Sequence, residues 1–316
     1  MIYSRNYNFN SIPKELINSI DIFIIGSSSE PRACRISDFI TDSFQGDTFL
    51  INYDIEFEKY SINHLINKNE KIKPAEFNLL ESFILDLKKI QLDGKKILID
   101  STSLKHPLLL YMIRILKENF NLANLFIGYT EPEKYEQVKN FKEQKFDLTE
   151  KFCSTNSIPG LVRSSDYLKE KVLVVLMGFE GNRFRKAFEE VSPSKRKVHA
   201  IVGFPSFHPN WQYYVYSQNQ SALVDSKAYT KLHRATANEP FSVYNILNEI
   251  SNTYPDHQIV VAPVGTKPHS IGAGMFLVDN PEVQVFYDFP SYGEKVRTIG
   301  IGDSYLYNLT AFLNEK

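Results

Sequence analysis

The chain alternates short apolar runs with longer stretches in which apolar residues recur at helical spacing. This alternation is typical of an α/β protein, in which buried parallel strands are joined by helices. Eight apolar runs predict strands, at residues 22–26, 48–52, 97–100, 125–129, 172–178, 198–204, 259–263 and 283–287. Helices are predicted near residues 32–44, 75–90, 107–119, 183–190, 209–221 and 241–252.

The first four predicted strands match the last four in order and in the residues that follow them. The paired strand ends are GSSSEPR and GFEGNR, FLINYD and AIVGFP, DSTSLKHP and PVGTKPHS, and YTEPEKY and YDFPSY. Any two doubly wound halves share Val/Ile-rich strands with polar ends, but that alternative does not supply the recurring Glu-plus-Arg, Lys-plus-His and Tyr-plus-Pro pairs. We therefore predict two tandem Rossmann-like parallel-sheet halves related by internal duplication.

The length of 316 residues favours two domains over one. A strongly charged stretch that becomes turn-rich at Pro159 and Gly160 is typical of a connector. The predicted organisation is a first Rossmann-like half at 1–150, a connector at 151–170, and a second half at 171–316 that ends in a helix.

Composition narrows the class of protein. The 36 basic and 37 acidic residues leave a net charge of -1, which gives no strong global signal for nucleic acid. Two cysteines are too few for a disulfide framework, and no apolar run is long enough for a membrane span. We expect a bacterial cytoplasmic protein without a membrane partner.

Ligands of open α/β sheets bind beyond the carboxyl ends of the strands, where the strand order switches. After the first strand of each half, serine, glutamate and arginine precede a helix and could cradle an anion. The alternative is that Ser29 and Glu30 only begin a helix. The predicted binding residues here are Ser28, Glu30, Arg32, Glu180 and Arg183.

Lysine, hydroxyl groups and histidine follow the third strand of each half. Lysine and hydroxyls at a helix start can grip a phosphate, and a nearby histidine could act as an acid or base. The predicted binding residues are Asp100, Lys105, Thr266, Lys267 and His269.

The fourth strands end in Tyr129 and Tyr287, each followed by a carboxylate and a proline. The rings could stack on a base, and Glu131 or Asp288 could read an amino or ribose hydroxyl group; core tyrosines beside rigid turns are the alternative. The aromatic segment at 204–220 gives two candidates for protein interaction, Trp211 and Tyr214, or else a buried aromatic helix.

Several chemistries lack their motifs. The G-x-G-x-x-G, Walker, G-x-S-x-G and zinc-deaminase patterns are absent from the sequence. The seven histidines are scattered and predict no metal site, so no cofactor is predicted, although Asp100 and Asp288 leave magnesium open.

Two Rossmann-like halves with polar strand ends resemble the CRISPR-associated Rossmann-fold sensors and the related fused sensor domains of prokaryotic antiviral systems. That resemblance implies binding of an oligonucleotide second messenger by residues after the first and third strands. No effector domain such as a nuclease follows, so an effector would be a separate protein.

The sequence thus predicts a nucleotide-binding sensor or regulator in bacterial antiphage defence, with its ligand between two pseudo-equivalent halves. The first alternative is an enzyme acting on a nucleotide or phosphosugar, with His269 or Glu180 as acid or base. The second is a protein-interaction subunit or homodimer that uses the Trp211 segment.

Overall fold

The computed structural model describes residues 6–8, 14–41, 44–54, 59–65, 78–79, 82–135, 151–152, 158, 161, 169–291 and 298–315. The chain divides into two compact units. The first unit comprises Met1–Tyr135 and Val296–Lys316, and the second unit comprises Glu136–Lys295.

Strands and helices alternate around the parallel strands as the sequence predicts, but a short strand, Asn78–Leu79, lies within the helix predicted near 75–90. In chain order the strands are β1 (Asn6–Asn8), β2 (Ile22–Gly26), β3 (Asp47–Asp54), β4 (Lys59–Leu65), β5 (Asn78–Leu79), β6 (Lys96–Asp100), β7 (Asn124–Thr130), β8 (Lys134–Tyr135), β9 (Lys151–Phe152), β10 (Lys171–Leu176), β11 (Val198–Gly203), β12 (Leu232–Ala235), β13 (Gln258–Pro263), β14 (Gln284–Val285), β15 (Pro290–Ser291), β16 (Thr298–Ile299) and β17 (Ser304–Asn308). The helices are α1 (Lys14–Asn18), α2 (Arg35–Thr41), α3 (Phe83–Lys89), α4 (His106–Asn119), α5 (Gly181–Val191), α6 (Trp211–Ser226), α7 (Pro240–Thr253), α8 (Lys267–Asp279) and α9 (Leu309–Asn314).

The sheet of the first unit is mixed, with the order β1-β17-β7-β6-β2-β3-β4-β5. Its centre, β7-β6-β2-β3, is parallel. Antiparallel strands extend it on both sides, since β17 pairs with β7 and β4 pairs with β3. Short antiparallel pairs also join β16 to β8 in this unit and β15 to β9 in the second.

The sheet of the second unit is parallel throughout, with the order β12-β11-β10-β13-β14. Its central strand β10 is fully buried from Val172 to Leu176. Such a continuous apolar strand is expected where helices cover both faces of a sheet. The core packs Leu173 and Val175 against Phe184 of α5 and Leu223 of α6.

The two parallel regions share one strand order. In the first unit β3-β2-β6-β7 are neighbours, and in the second β11-β10-β13-β14 occupy the same sequence of places. The prediction of an α/β chain with two Rossmann-like halves is confirmed. Internal duplication stays a prediction, because doubly wound sheets in general can share this order.

Two features differ from the predicted organisation. The C-terminal β17 and α9 belong to the first unit, not the second, because β17 pairs with β1 and β7. A helix that is not among the predicted ones, α8, extends from Lys267 to Asp279. Most of the predicted connector, namely residues 153–157, 159–160 and 162–168, lies outside the described residues, as does the end of the predicted first half at 136–150. No helix in the described part of the chain has the length and apolar character needed to cross a membrane.

Helices α7 and α8 pack closely because Gly272 has no side chain. A Cβ added there would lie 2.2 Å from the carbonyl oxygen of Pro240 and 2.9 Å from Cβ of Val243. Backbone atoms cannot yield as a flexible side chain does, so the two helices would have to separate.

We expect Gly272→Ala to lower the free energy of unfolding by about 1–3 kcal/mol, the usual cost of overpacking a core. Urea denaturation checks this, with Asn252→Ala at an exposed position of α7 as the control. Equal stability of the two variants would show that the helices accommodate the methyl group.

Candidate functional site

The second unit brings two loops together at the carboxyl edge of its sheet. The strand order switches between β10 and β13, so the loops that follow these strands flank the switch point. A Cβ added at Gly178 would lie 2.5 Å from the carbonyl oxygen of Val264, and one added at Gly265 would lie 2.8 Å from that of Met177. The glycines therefore allow the two backbones to meet.

Helix α8 begins at this switch point. Thr266 caps the helix, because its Oγ1 accepts from the backbone N–H of His269 at 3.3 Å and donates to the carbonyl of Ala237 at 2.9 Å. Lys267 is the first residue of the helix and is half-buried. Pro268 has no N–H, and the N–H groups of His269 and Ser270 are bound by Thr266, so the helix dipole and the charge of Lys267 are what favour a bound anion at this helix start.

Helix α5, which follows β10, places Arg183 in the interior. Nε of Arg183 lies 2.9 Å from both oxygens of Asp288, and Nη2 lies 2.5 Å from Oδ1. The guanidinium also stands over the Tyr287 ring, 5.1 Å from its centroid, and Nη1 is 3.6 Å from Oε2 of Glu180. Three predicted binding residues thus meet, in an arrangement that neutralises the buried arginine within the unit.

The first unit builds a related arrangement around Arg32. Its guanidinium stands over Tyr129, 5.7 Å from the ring centroid, and its Nε is 3.9 Å from Oε2 of Glu30. Nη1 donates to the carbonyl of Thr130 at 2.6 Å and to the Tyr129 hydroxyl at 3.3 Å. Thr130 directly follows Tyr129, as Asp288 directly follows Tyr287 in the second unit.

Three predicted residues of the first unit make other contacts. Asp100 is fully buried, and its Oδ1 accepts from the backbone N–H of Thr102 at 2.9 Å. Ser28 is exposed, and its Oγ accepts from the backbone N–H of Glu30 at 3.2 Å. Lys105 is exposed at the start of α4. Only the last two present side chains to solvent.

His269 lies beneath the surface of the switch point. It has no exposed area, and its Nε2 is 3.1 Å from the carbonyl oxygen of Thr236. Burial lowers the pKa of His269 to about 4, against the opposing effect of hydrogen bonds to the carbonyls of Thr236 and Ala235. The neutral imidazole connects α8 to the loop after β12 through its hydrogen bond to Thr236. Because the ring is fully buried, a substrate has no access to it.

The aromatic segment begins helix α6 beside the loop after β10. The Trp211 ring stands edge-on to Phe179, with centroids 5.7 Å apart, and packs on His208 at 4.5 Å. Trp211 and Tyr214 are half-buried, whereas Tyr213 is 64% exposed. The segment therefore forms an aromatic cluster next to Glu180 rather than a fully buried helix.

One polar network at the amino edge of the second sheet was not predicted. Lys231 donates to the Tyr254 hydroxyl at 2.5 Å, which lies 3.3 Å from Nε2 of His199, whose Nδ1 lies 3.0 Å from Nε2 of His233. Because Tyr254 accepts from Lys231, its own O–H can donate to Nε2 of His199, which leaves the Nδ1–H of His199 to donate to Nε2 of His233. Each histidine is the second residue of its strand, and nothing in their spacing indicates that β11 and β12 pair.

Within the described ranges, no three His, Cys, Asp or Glu side chains form a group that could hold a metal ion. No family model matches the chain, and a search of curated proteins finds no significant match. Assignment of a function therefore depends on the geometry of the two carboxyl edges.

We expect Arg183→Met to cost about 3–5 kcal/mol of unfolding free energy, because it leaves the Asp288 carboxylate buried and uncompensated. Arg185→Met is the matched control, since Arg185 is exposed on the same helix. Urea denaturation measures both. The double variant Arg183→Met, Asp288→Leu should lose less than the sum of the single variants, and strictly additive losses would contradict the pair.

The stability of the protein should fall as the pH drops from 6.5 toward 4. Burial lowers the pKa of His269 and of His199 to about 4, so an unfolded chain with ordinary histidines binds more protons in this window. Each imidazole contributes a slope of up to about 1.4 kcal/mol per pH unit. Urea midpoints at several pH values should show a shallower slope for His269→Gln, and an unchanged slope would overturn the assignment.

Proposed function

We propose that this chain is a nucleotide-binding sensor or regulator, and that its second unit holds the phosphate of a nucleotide or another phosphorylated small molecule. The observation that carries the proposal is the switch point between β10 and β13, where Gly178 and Gly265 let two loops meet and α8 begins with Thr266 and Lys267. This is the place where open α/β sheets bind ligands, and a helix start is where they bind phosphate.

The surrounding groups fit a nucleotide. Lys267 supplies a positive charge, and the aromatic cluster of Trp211, Phe179 and His208 offers ring surfaces beside the same loop. Oε2 of Glu180 lies 3.6 Å from Nη1 of Arg183, so the guanidinium offsets the negative charge of Glu180 at the start of α5. Arg183 is buried and stabilises this edge of the unit through its contacts with Asp288 and Tyr287.

A sensing role fits this geometry better than catalysis. The candidate acid or base His269 is fully buried and neutral near pH 7, so it is enclosed within the unit rather than facing a bound substrate. The resemblance to antiviral sensors alone supports the part of the proposal that concerns antiphage defence and a separate effector protein. The proposal of a second copy as partner rests instead on the Trp211 segment.

We expect Lys267→Ala to weaken binding of ATP, AMP or a cyclic dinucleotide at least tenfold, a change of about 1.4 kcal/mol, because it removes the charge beside the helix start. Isothermal titration calorimetry measures the affinity. The control is Lys195→Ala, at an exposed lysine that precedes β11 at the opposite edge of the sheet.

Mass spectrometry of small molecules released from the denatured protein identifies the ligand class without prior choice. Recovery of a phosphorylated compound whose affinity falls in Lys267→Ala supports the proposal. Equal affinity of the Lys267→Ala and Lys195→Ala variants for every bound compound would refute it, as would the absence of any bound or binding phosphorylated compound.

A further inference from the structure

The first unit differs from the second in how its buried arginine is satisfied. Arg183 uses Nε and Nη2 to bind the Asp288 carboxylate at 2.5 to 2.9 Å. Arg32 has Thr130 in that place, and its hydrogen bonds within the described part of the chain go to the Thr130 carbonyl and the Tyr129 hydroxyl, both through Nη1. Nε of Arg32 is buried and has no hydrogen-bond partner among the described residues. Oε2 of Glu30, at 3.9 Å, is beyond hydrogen-bonding distance.

A second unsatisfied polar atom belongs to the same strand end. Glu131 directly follows the two residues that Arg32 contacts, and it is 5% exposed. Its backbone N–H donates to the carbonyl of Asp303 at 2.9 Å, but its buried Oε2 has no hydrogen-bond partner in the part of the chain that the structure describes. Buried polar groups nearly always have a hydrogen-bond partner. The donor Arg32 Nε–H and the acceptor Glu131 Oε2 therefore indicate a ligand that supplies an acceptor for the first and a donor for the second.

The charges of this strand end favour a neutral ligand group. One guanidinium, that of Arg32, is accompanied by the carboxyl groups of Glu30 and Glu131. A phosphate or carboxylate would add another negative charge to a buried place where negative charge already balances or exceeds the arginine. A group with an acceptor atom next to an N–H donor satisfies both protein atoms without adding charge.

We propose that the carboxyl edge of the first unit binds a neutral amide-like group, with an acceptor atom of the ligand bound by Arg32 Nε–H and a ligand N–H bound by Glu131 Oε2. The edge of a nucleobase has this chemistry, and so does a carboxamide such as nicotinamide. This site lies in a different unit from the proposed phosphate site and takes a different chemical group, so it goes beyond the proposed function.

The test measures binding of uncharged probes by isothermal titration calorimetry at pH 8. Guanosine, adenosine, cytidine and uridine represent nucleobases without phosphate, and nicotinamide represents a carboxamide. We expect saturable binding of at least one probe, weakened about 10- to 100-fold in Glu131→Gln and in Arg32→Lys, as for loss of a hydrogen bond to a charged group. Arg32→Lys keeps the positive charge but has no Nε–H in that place.

Two controls separate this site from general effects. Glu133→Gln changes an exposed carboxylate two residues away and should leave binding unchanged. Lys267→Ala should leave it unchanged too, so failure here and failure of the phosphate site are distinguishable. Circular dichroism confirms folding, and Glu131→Gln serves alone if Arg32→Lys does not fold. No binding of any of the five probes, or equal affinity of folded Glu131→Gln and wild-type protein, overturns the proposal.

The pH dependence of binding gives an independent readout. Burial raises the pKa of Glu131 to about 7, with smaller effects from the neighbouring Asp303 and Arg32. Because the ligand N–H needs the ionised carboxylate as acceptor, affinity should rise severalfold between pH 6 and pH 8 in the wild type. The rise should be absent in Glu131→Gln, and a fall in affinity over this range would contradict the assigned direction of the hydrogen bond.

Discussion

In each unit a buried guanidinium joins the helical segment that follows the first parallel strand to a residue at or just beyond the last parallel strand. Arg183 links α5 to Asp288, 105 residues later in the chain, and Arg32 links the segment before α2 to Thr130, 98 residues later. Such a charge is costly to bury unless its donors are bound, so it fixes where both strand ends lie. In each unit the arginine lies just after a loop whose glycine meets a second loop, at Gly26 and Ser103 in the first unit and at Gly178 and Val264 in the second.

The parallel strands other than β12 were predictable because each contains a short, largely buried apolar run. Helix α8 was not, because Pro268, Gly272 and Gly274 are poor helix formers in its interior or near its start. Its packing against α7 requires a small residue at Gly272, so tertiary contact overrides propensity there. Strand β12 (LHRA) was missed for a different reason, since a partly exposed edge strand lacks the apolar run that marks the others.

Which polar residues gather at each strand end could also be read from the sequence, since Glu30 with Arg32 and Glu180 with Arg183 are local pairs. Their burial could not, because it depends on partners about a hundred residues away. The same limit explains His269, which stands beside Lys267 in sequence but faces Thr236 in the interior. Polar residues after a strand are therefore of two kinds. Some are buried and stabilise the edge of the sheet, and others have exposed side chains that a ligand can contact.

The position of β17 has a consequence for biosynthesis. The side-chain hydroxyls of Ser304 and Thr130 are hydrogen-bonded across the β17–β7 pair, although the two residues are 174 positions apart in the chain. At a synthesis rate of about 5 to 20 residues per second, strand β7 leaves the ribosome roughly 10 to 35 seconds before its partner. The second unit, encoded between them, can finish folding while the first sheet still has an open edge. Synthesis of the first unit therefore begins first, but its sheet is completed only when the C-terminal strand β17 has been made.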